Sequence, residues 1–307
     1  MPTTFTRRHV LMTGAAVPFA HTARAAAPLL GPASANFRRF RLGTFEITTL
    51  LAGTRTVPDP HKIFGLDIST ETFAQVSAAA HIPADRAQFF FTPTLVNTGQ
   101  RLVLFDTGLS AEGTGTALTA AGYTPDQVDA VVLTHMHPDH IGGLMREGAP
   151  AYSNATHYTG AVEFDEWDLS GNETFEASMR PLAERTTFLD GGDSVASGIT
   201  AIEAFGHTPG HMAYMIESAG QTLLIGADFA NHYVWSLAHP DWEVLYDRDK
   251  AQAAATRRRI LEMLAGEKMP FIGYHMPFPG LGYVESHNDG FAYIPESYQF
   301  LLQAGGN

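Results

Sequence analysis

No cysteine occurs among the 307 residues. That excludes disulfides, thiol nucleophiles and thiolate metal sites, and leaves His, Asp and Glu as the strong ligands available. Basic side chains are scarce: 19 Lys and Arg stand against 32 Asp and Glu, a formal net charge of −13. An acidic surface repels phosphate backbones, so nucleic acid is not an expected partner and a small-molecule substrate is. Long apolar runs are missing too. Beyond the N-terminal segment no stretch approaches the roughly 20 apolar residues a membrane helix needs, so no membrane anchor is expected once that segment is removed. Histidine is plentiful, at 14, and an apolar fraction of 45% suffices for a full-sized core.

The first 27 residues read as an export signal rather than as fold. Arg7-Arg8 precedes a modestly apolar stretch, 10–20, and then the small-x-small pattern Ala23-Arg24-Ala25. The paired arginines resemble the twin-arginine type, which implies a periplasmic or secreted protein. Residues 28–40, opening on Pro28 and Gly31-Pro32, are expected to be a linker, and 41–307 the functional domain. Within that domain, strands are expected at 45–51, 89–97, 102–105, 129–134, 199–205, 211–217, 222–225 and 271–274. A Pro-broken loop is expected at 57–67. Helices are expected at 70–80, 116–121, 160–169, 174–184 and 249–265. Strands come in clusters with helices between them, an α/β pattern of stacked sheets with helices outside.

The chemistry centres on Thr134-His135-Met136-His137-Pro138-Asp139-His140, directly after an apolar strand. Residues two apart on extended backbone point the same way, so His135 and His137 can share one metal. Pro138 biases His137 towards extended geometry, and Asp139 and His140 then turn a second pair of donors towards a neighbouring position. Gly142-Gly143 lets the backbone pass close to such a site. His232, His239, His287 and His157 lack any motif context and default to the surface.

The His-x-His-x-Asp-His run resembles the signature of the metallo-β-lactamase superfamily. Four further segments resemble the family's other motifs, in family order: Asp106-Thr107-Gly108, Gly206-His207-Thr208-Pro209-Gly210-His211, Ile225-Gly226-Ala227-Asp228 and Tyr274-His275. The resemblance implies an αββα sandwich, two mixed β-sheets flanked by helices. It further implies two divalent metal ions, zinc foremost and manganese, iron or cobalt as alternatives. One ion would be held by His135, His137 and His211, the other by Asp139, His140 and His275, with Asp228 bridging. Asp106 would organise the site from behind the ligands, and His207 would fix its loop. A hydroxide held between the ions would be the nucleophile, with Asp139 and Asp228 as the catalytic carboxylates.

Segments 42–48, 121–129 and 278–283 are similar to the methyl parathion hydrolase group, which implies an exported hydrolase of aryl esters, lactones or organophosphate triesters and a homodimer. Trp167 and Phe229 are the implied walls of its aromatic pocket. Two departures stand out: residues 109–115, which follow Gly108, hold no aromatic where that group carries one, and Asn231 lies three residues beyond Asp228, where the bacillus-type quorum-quenching lactonases carry tyrosine. The alternatives within the superfamily are such a quorum-quenching lactonase, a β-lactamase-like amide hydrolase and, outside hydrolysis, a diiron redox protein.

Overall fold

The computed structural model describes residues 31–302, with Met1 and Leu29. The expected export signal therefore lies outside the described residues, apart from Met1. Two seven-stranded sheets stack face to face. In the first, strands Phe37–Leu42, Phe45–Leu50, Thr94–Asn97 and Leu102–Phe105 run antiparallel, and Ala130–Val132, Thr156–Gly160 and Thr186–Leu189 continue it in parallel. The second orders Ser194–Ala196, Ile199–Glu203, Met212–Ser218 and Gln221–Ala227 antiparallel, then Phe271–Gly273 parallel to the last of these. Leu281–His287 and Gly290–Pro295 close it antiparallel. Both sheets are mixed, as the resemblance implies.

Alternation along the strands decides which side chain goes to which layer. Val103, Phe105, Ala130 and Val132 face inward onto Ala201, Tyr214, Ile216 and Ile225 of the opposite sheet. Leu102, Leu104 and Val131 point the other way, onto helices Ala111–Ala120, Ala161–Asp168 and Glu173–Ser178. On the far side, Ile260, Leu261 and Leu264 of helix Lys250–Glu267 cover Leu224 and Phe271. The layers thus run helix, sheet, sheet, helix. No helix among the described residues is long and apolar enough to cross a membrane.

Several expectations need correction. The linker expected at 28–40 already carries strand from Phe37, because Phe40 and Leu42 alternate into the inter-sheet core. The single strand expected at 89–97 is two, Arg86–Phe91 and Thr94–Asn97, divided by Pro93, which has no N–H for a ladder. Part of the loop expected at 57–67 is strand: Gly53–Pro58 pairs with Arg86–Phe91 as a separate hairpin. That hairpin packs with helix Thr70–Ala79 and Trp235 in a satellite cluster. The helix expected at 174–184 stops at Ser178 and tightens into a 3₁₀ turn, Arg180–Arg185, at Pro181. His157 is not at the surface. It is fully buried in Thr156–Gly160, neither ring nitrogen meets a partner among the described residues, and burial pushes its pKa down to about 4. His232 is half-buried, caps the π-helical turn Tyr233–Ala238 and stacks on Trp235 at 4.0 Å.

Candidate metal centre

All five motifs converge because of strand polarity. Leu102–Phe105 and Ala130–Val132 are parallel, so Asp106 and the 134–140 loop leave the first sheet at the same end. Gln221–Ala227 and Phe271–Gly273 are likewise parallel in the second sheet and deliver Asp228 and His275. The 204–211 loop joins Ile199–Glu203 to Met212–Ser218 beside them. Backbone strain gathers here, with Asp106 at φ 59° and Ala227, next to Asp228, at φ 50°. The paired glycines act as expected: a Cβ on Gly143 would lie 2.1 Å from the Thr107 carbonyl oxygen.

Three groups of donors lie within 4.8 Å of one another: His135, His137 and His207; His135, His140 and Asp228; Asp139, His140 and His275. The Nδ1 of His137 stands 3.0 Å from His135 Nε2 and 3.0 Å from His207 Nε2. Asp228 touches both halves. Its Oδ2 lies 3.4 Å from His207 Nε2 and 3.1 Å from His275 Nε2, and its Oδ1 lies 3.5 Å from His140 Nε2. Asp139 Oδ2 is 3.3 Å from His275 Nε2 and 3.5 Å from His140 Nε2.

The other ring nitrogen of most of these histidines is anchored, as metal-ligating imidazoles require. His140 Nδ1 meets Asp106 Oδ2 at 2.9 Å, His207 Nδ1 meets Asp247 Oδ1 at 2.9 Å, and His275 Nδ1 meets the Phe90 carbonyl at 2.9 Å. His135 Nδ1 lies 3.1 Å from Thr134 Oγ1. Asp106 also accepts from the Thr134 backbone amide at 2.9 Å and so ties His140 to the start of the loop. Asp247 is itself fixed by the fully buried Arg257 at 2.7 Å.

The expectation that His211 rather than His207 joins these donors is not met: the structure groups His207 with His135 and His137. His211 Nε2 accepts the Asp228 backbone N–H at 3.1 Å, and its Nδ1 is buried without a partner among the described residues, the opposite of a ligand's pattern. His207 presents a free Nε2 to His137 and Asp228 while Asp247 holds its other side. No local signal separated the two; Asp247 lies 40 residues away in sequence.

Charge divides the cluster. Burial, reinforced by neighbouring imidazoles, holds His135 well below its ordinary pKa and His137 at about 3. In the other half burial opposes ionisation, but carboxylates outweigh it. Asp106, Asp228 and Asp139 raise His140 well above its ordinary value, and Asp228 with Asp139 raises His275 to about 10. The same imidazoliums hold Asp139 at about 2 against the cost of burial. His140 Nε2 and Asp228 Oδ1 are buried with no hydrogen-bond partner among the described residues. These two unpartnered atoms, set among convergent nitrogen and carboxylate donors, fit a pair of divalent cations.

A cavity of about 240 Å³ opens over the cluster. His137, Asp139, His207, Asp228 and His275 form its floor, while Arg55, Val57, Phe89 and Phe91 of the hairpin, with Leu109 and Tyr246, form its walls. Neither expected wall residue is among them. Trp167 packs into the helix layer of the first sheet and meets only the edge of His137, at 5.7 Å. Phe229 is turned into the other core, against Phe271. The true walls were hidden in the strand that Pro93 divides.

The sequence model of the metallo-beta-lactamase superfamily matches residues 92–275. Among curated proteins, the chain is 32% identical over 170 residues to a ribonuclease of Thermus thermophilus, covering 50% of this chain and 38% of that protein. It is 29% identical over 138 residues to the N-acyl homoserine lactonase AttM of Agrobacterium fabrum, covering 41% and 48%. The chain thus spans less than half the length of these curated relatives. Among solved structures, the dizinc quorum-quenching lactonase AidC superposes with a TM-score of 0.79 at 26% identity, over 86% of this chain and 98% of that one. The hydrolase AbOPH gives 0.80 at 27%, over 87% and 100%.

Proposed function

The chain belongs to the metallo-β-lactamase superfamily, and from that premise we propose that it is a dinuclear metal-dependent hydrolase of lactones and small aryl esters. The observation that carries this reading is the sharing of Asp228 between two donor sets at the floor of an aromatic-walled cavity. His135, His137 and His207 would hold one ion, Asp139, His140 and His275 the other. Two divalent cations held there would lower the pKa of bound water to near neutrality and would stabilise negative charge on a substrate oxygen.

The rest falls to the chain's own residues. Asp139 is the half-buried carboxylate of the floor, placed to accept a proton from water and return it to the leaving group. The Tyr274 hydroxyl donates to the Asp139 carbonyl at 2.5 Å and its ring lies 4.0 Å from that of His140, which fixes the turn carrying both ligands. Val57, Phe89, Phe91 and Leu109 take up an aryl or acyl group and exclude water, while Tyr246 and Arg55 offer donors to a polar head. Similarity to lactonases of known structure supports lactones. A net charge of −13 and a small cavity favour a small substrate over a polynucleotide. Export through the Arg7-Arg8 segment belongs to the same proposal.

The test is a substrate panel on metal-loaded protein: p-nitrophenyl esters, acyl-homoserine and aromatic lactones, methyl parathion and a β-lactam. Lactones and aryl esters should give the highest kcat/KM. Turnover confined to the β-lactam or to methyl parathion refutes the substrate assignment and leaves the site standing.

A further inference from the structure

Glu163 is a fully buried carboxylate outside the donor clusters. It stands in the first turn of helix Ala161–Asp168, where a glutamate commonly turns back to bond its own helix start. Here it reaches away instead. Its Oε1 accepts the Met136 N–H at 2.9 Å, and Met136 is the residue between His135 and His137. Its Oε2 accepts the Gly210 N–H at 3.0 Å, three residues beyond His207. One carboxylate therefore joins a loop of the first sheet to a loop of the second.

The helix is seated to make this possible. A Cβ on Gly210 would lie 2.1 Å from the Glu163 backbone nitrogen, and one on Gly160 would lie 2.9 Å from the Gly210 carbonyl oxygen. Burial pushes the Glu163 carboxyl above its ordinary pKa, and the two amide bonds offset only part of that cost. We propose that Glu163 is a positioning residue for the metal site of His135, His137 and His207, setting the separation of the two histidine loops. The inference rests on the dinuclear reading. Glu163 makes no hydrogen bond to Asp139, His140 or His275, so its effect should be selective for one of two ions.

The test uses the full chain, stripped of metal, as wild type, Glu163→Gln and Glu163→Ala. Gln keeps the size but offers one acceptor to two N–H donors. Each protein is titrated with Co²⁺ alone, read by its visible absorption and by chelator competition, and the metal-free forms are melted in parallel. Wild type should take two equivalents. The variants should bind one equivalent as wild type does and the other about 10–100-fold more weakly, with an altered absorption band for that ion. Should both equivalents bind as in wild type while the melting temperatures fall, Glu163 is merely structural and the proposal is overturned. Equal weakening of both ions overturns it as well. Fewer than two equivalents on wild type overturns the dinuclear reading, and this inference with it.

Discussion

Exchange of roles between His207 and His211 can be tested by removing each ring in turn. His207→Ala deletes a nitrogen 3.0 Å from His137 Nδ1 and 3.4 Å from Asp228 Oδ2. It also leaves Asp247 with Arg257 alone. Zinc bound by four protein ligands is held with about 10–16 kcal/mol, roughly 3 kcal/mol per ligand, so losing one costs more than a hundredfold in affinity. His211→Ala deletes the acceptor of the Asp228 amide, at 3.1 Å, and leaves that buried N–H unpaired. Its effect passes through the position of Asp228, which faces both halves, and should weaken metal binding about 10–100-fold without abolishing either site. The assay is metal content by mass spectrometry after equilibration against a zinc buffer, with Co²⁺ absorption as the second readout. His207→Ala should retain one ion per chain and His211→Ala two. The reverse pattern refutes the assignment, and equal loss in both variants refutes the reasoning that separates ligand from support.

Two further outcomes follow from the same geometry. His275, raised to about 10 by Asp228 and Asp139 despite burial, must lose its proton before it can bind metal. His140, raised well above its ordinary value by Asp106, Asp228 and Asp139 despite burial, must do the same, so apparent affinity for the ion the two would share with Asp139 should rise by up to about a hundredfold per unit between pH 6.5 and 9, and a flat profile by chelator competition contradicts the charge assignment. The sign for stability is opposite: in metal-free protein the contribution of His275 is complete below its ordinary pKa of 6.5 and is lost as pH rises through about 10. Phe91→Ala should raise KM for aryl esters by about tenfold, the scale of losing part of a buried aromatic contact, whereas Trp167→Phe should leave KM unchanged. A KM that moves with Trp167 instead places the wall where the sequence suggested it.

What the sequence revealed, and what it hid, follows from the range over which each feature is decided. Asp139 and His140 sit in the turn after His137, and the paired glycines stand beside them, so the first motif is decided within ten residues and is legible. The two sheets are legible for a similar reason, since alternation such as Leu102, Val103, Leu104, Phe105 sorts side chains to opposite layers locally. His207 and His211 are different. Their ring centroids lie 4.8 Å and 5.0 Å from that of His135, so both are in range, and the choice between them is made elsewhere. Asp247, held by Arg257 from the buried face of helix Lys250–Glu267, captures Nδ1 of one ring and leaves its Nε2 for metal. The substrate walls pose the same problem. Phe89 and Phe91 read as ordinary strand residues until their partner strand, Gly53–Pro58, is known, and that pairing turns them over the metal floor. Pro93 was the one local warning that the strand ends there. The choice between the two rings is thus written twice in this chain, once in the motif and once in the distant carboxylate that orients His207, and only the first copy has a recognisable spacing.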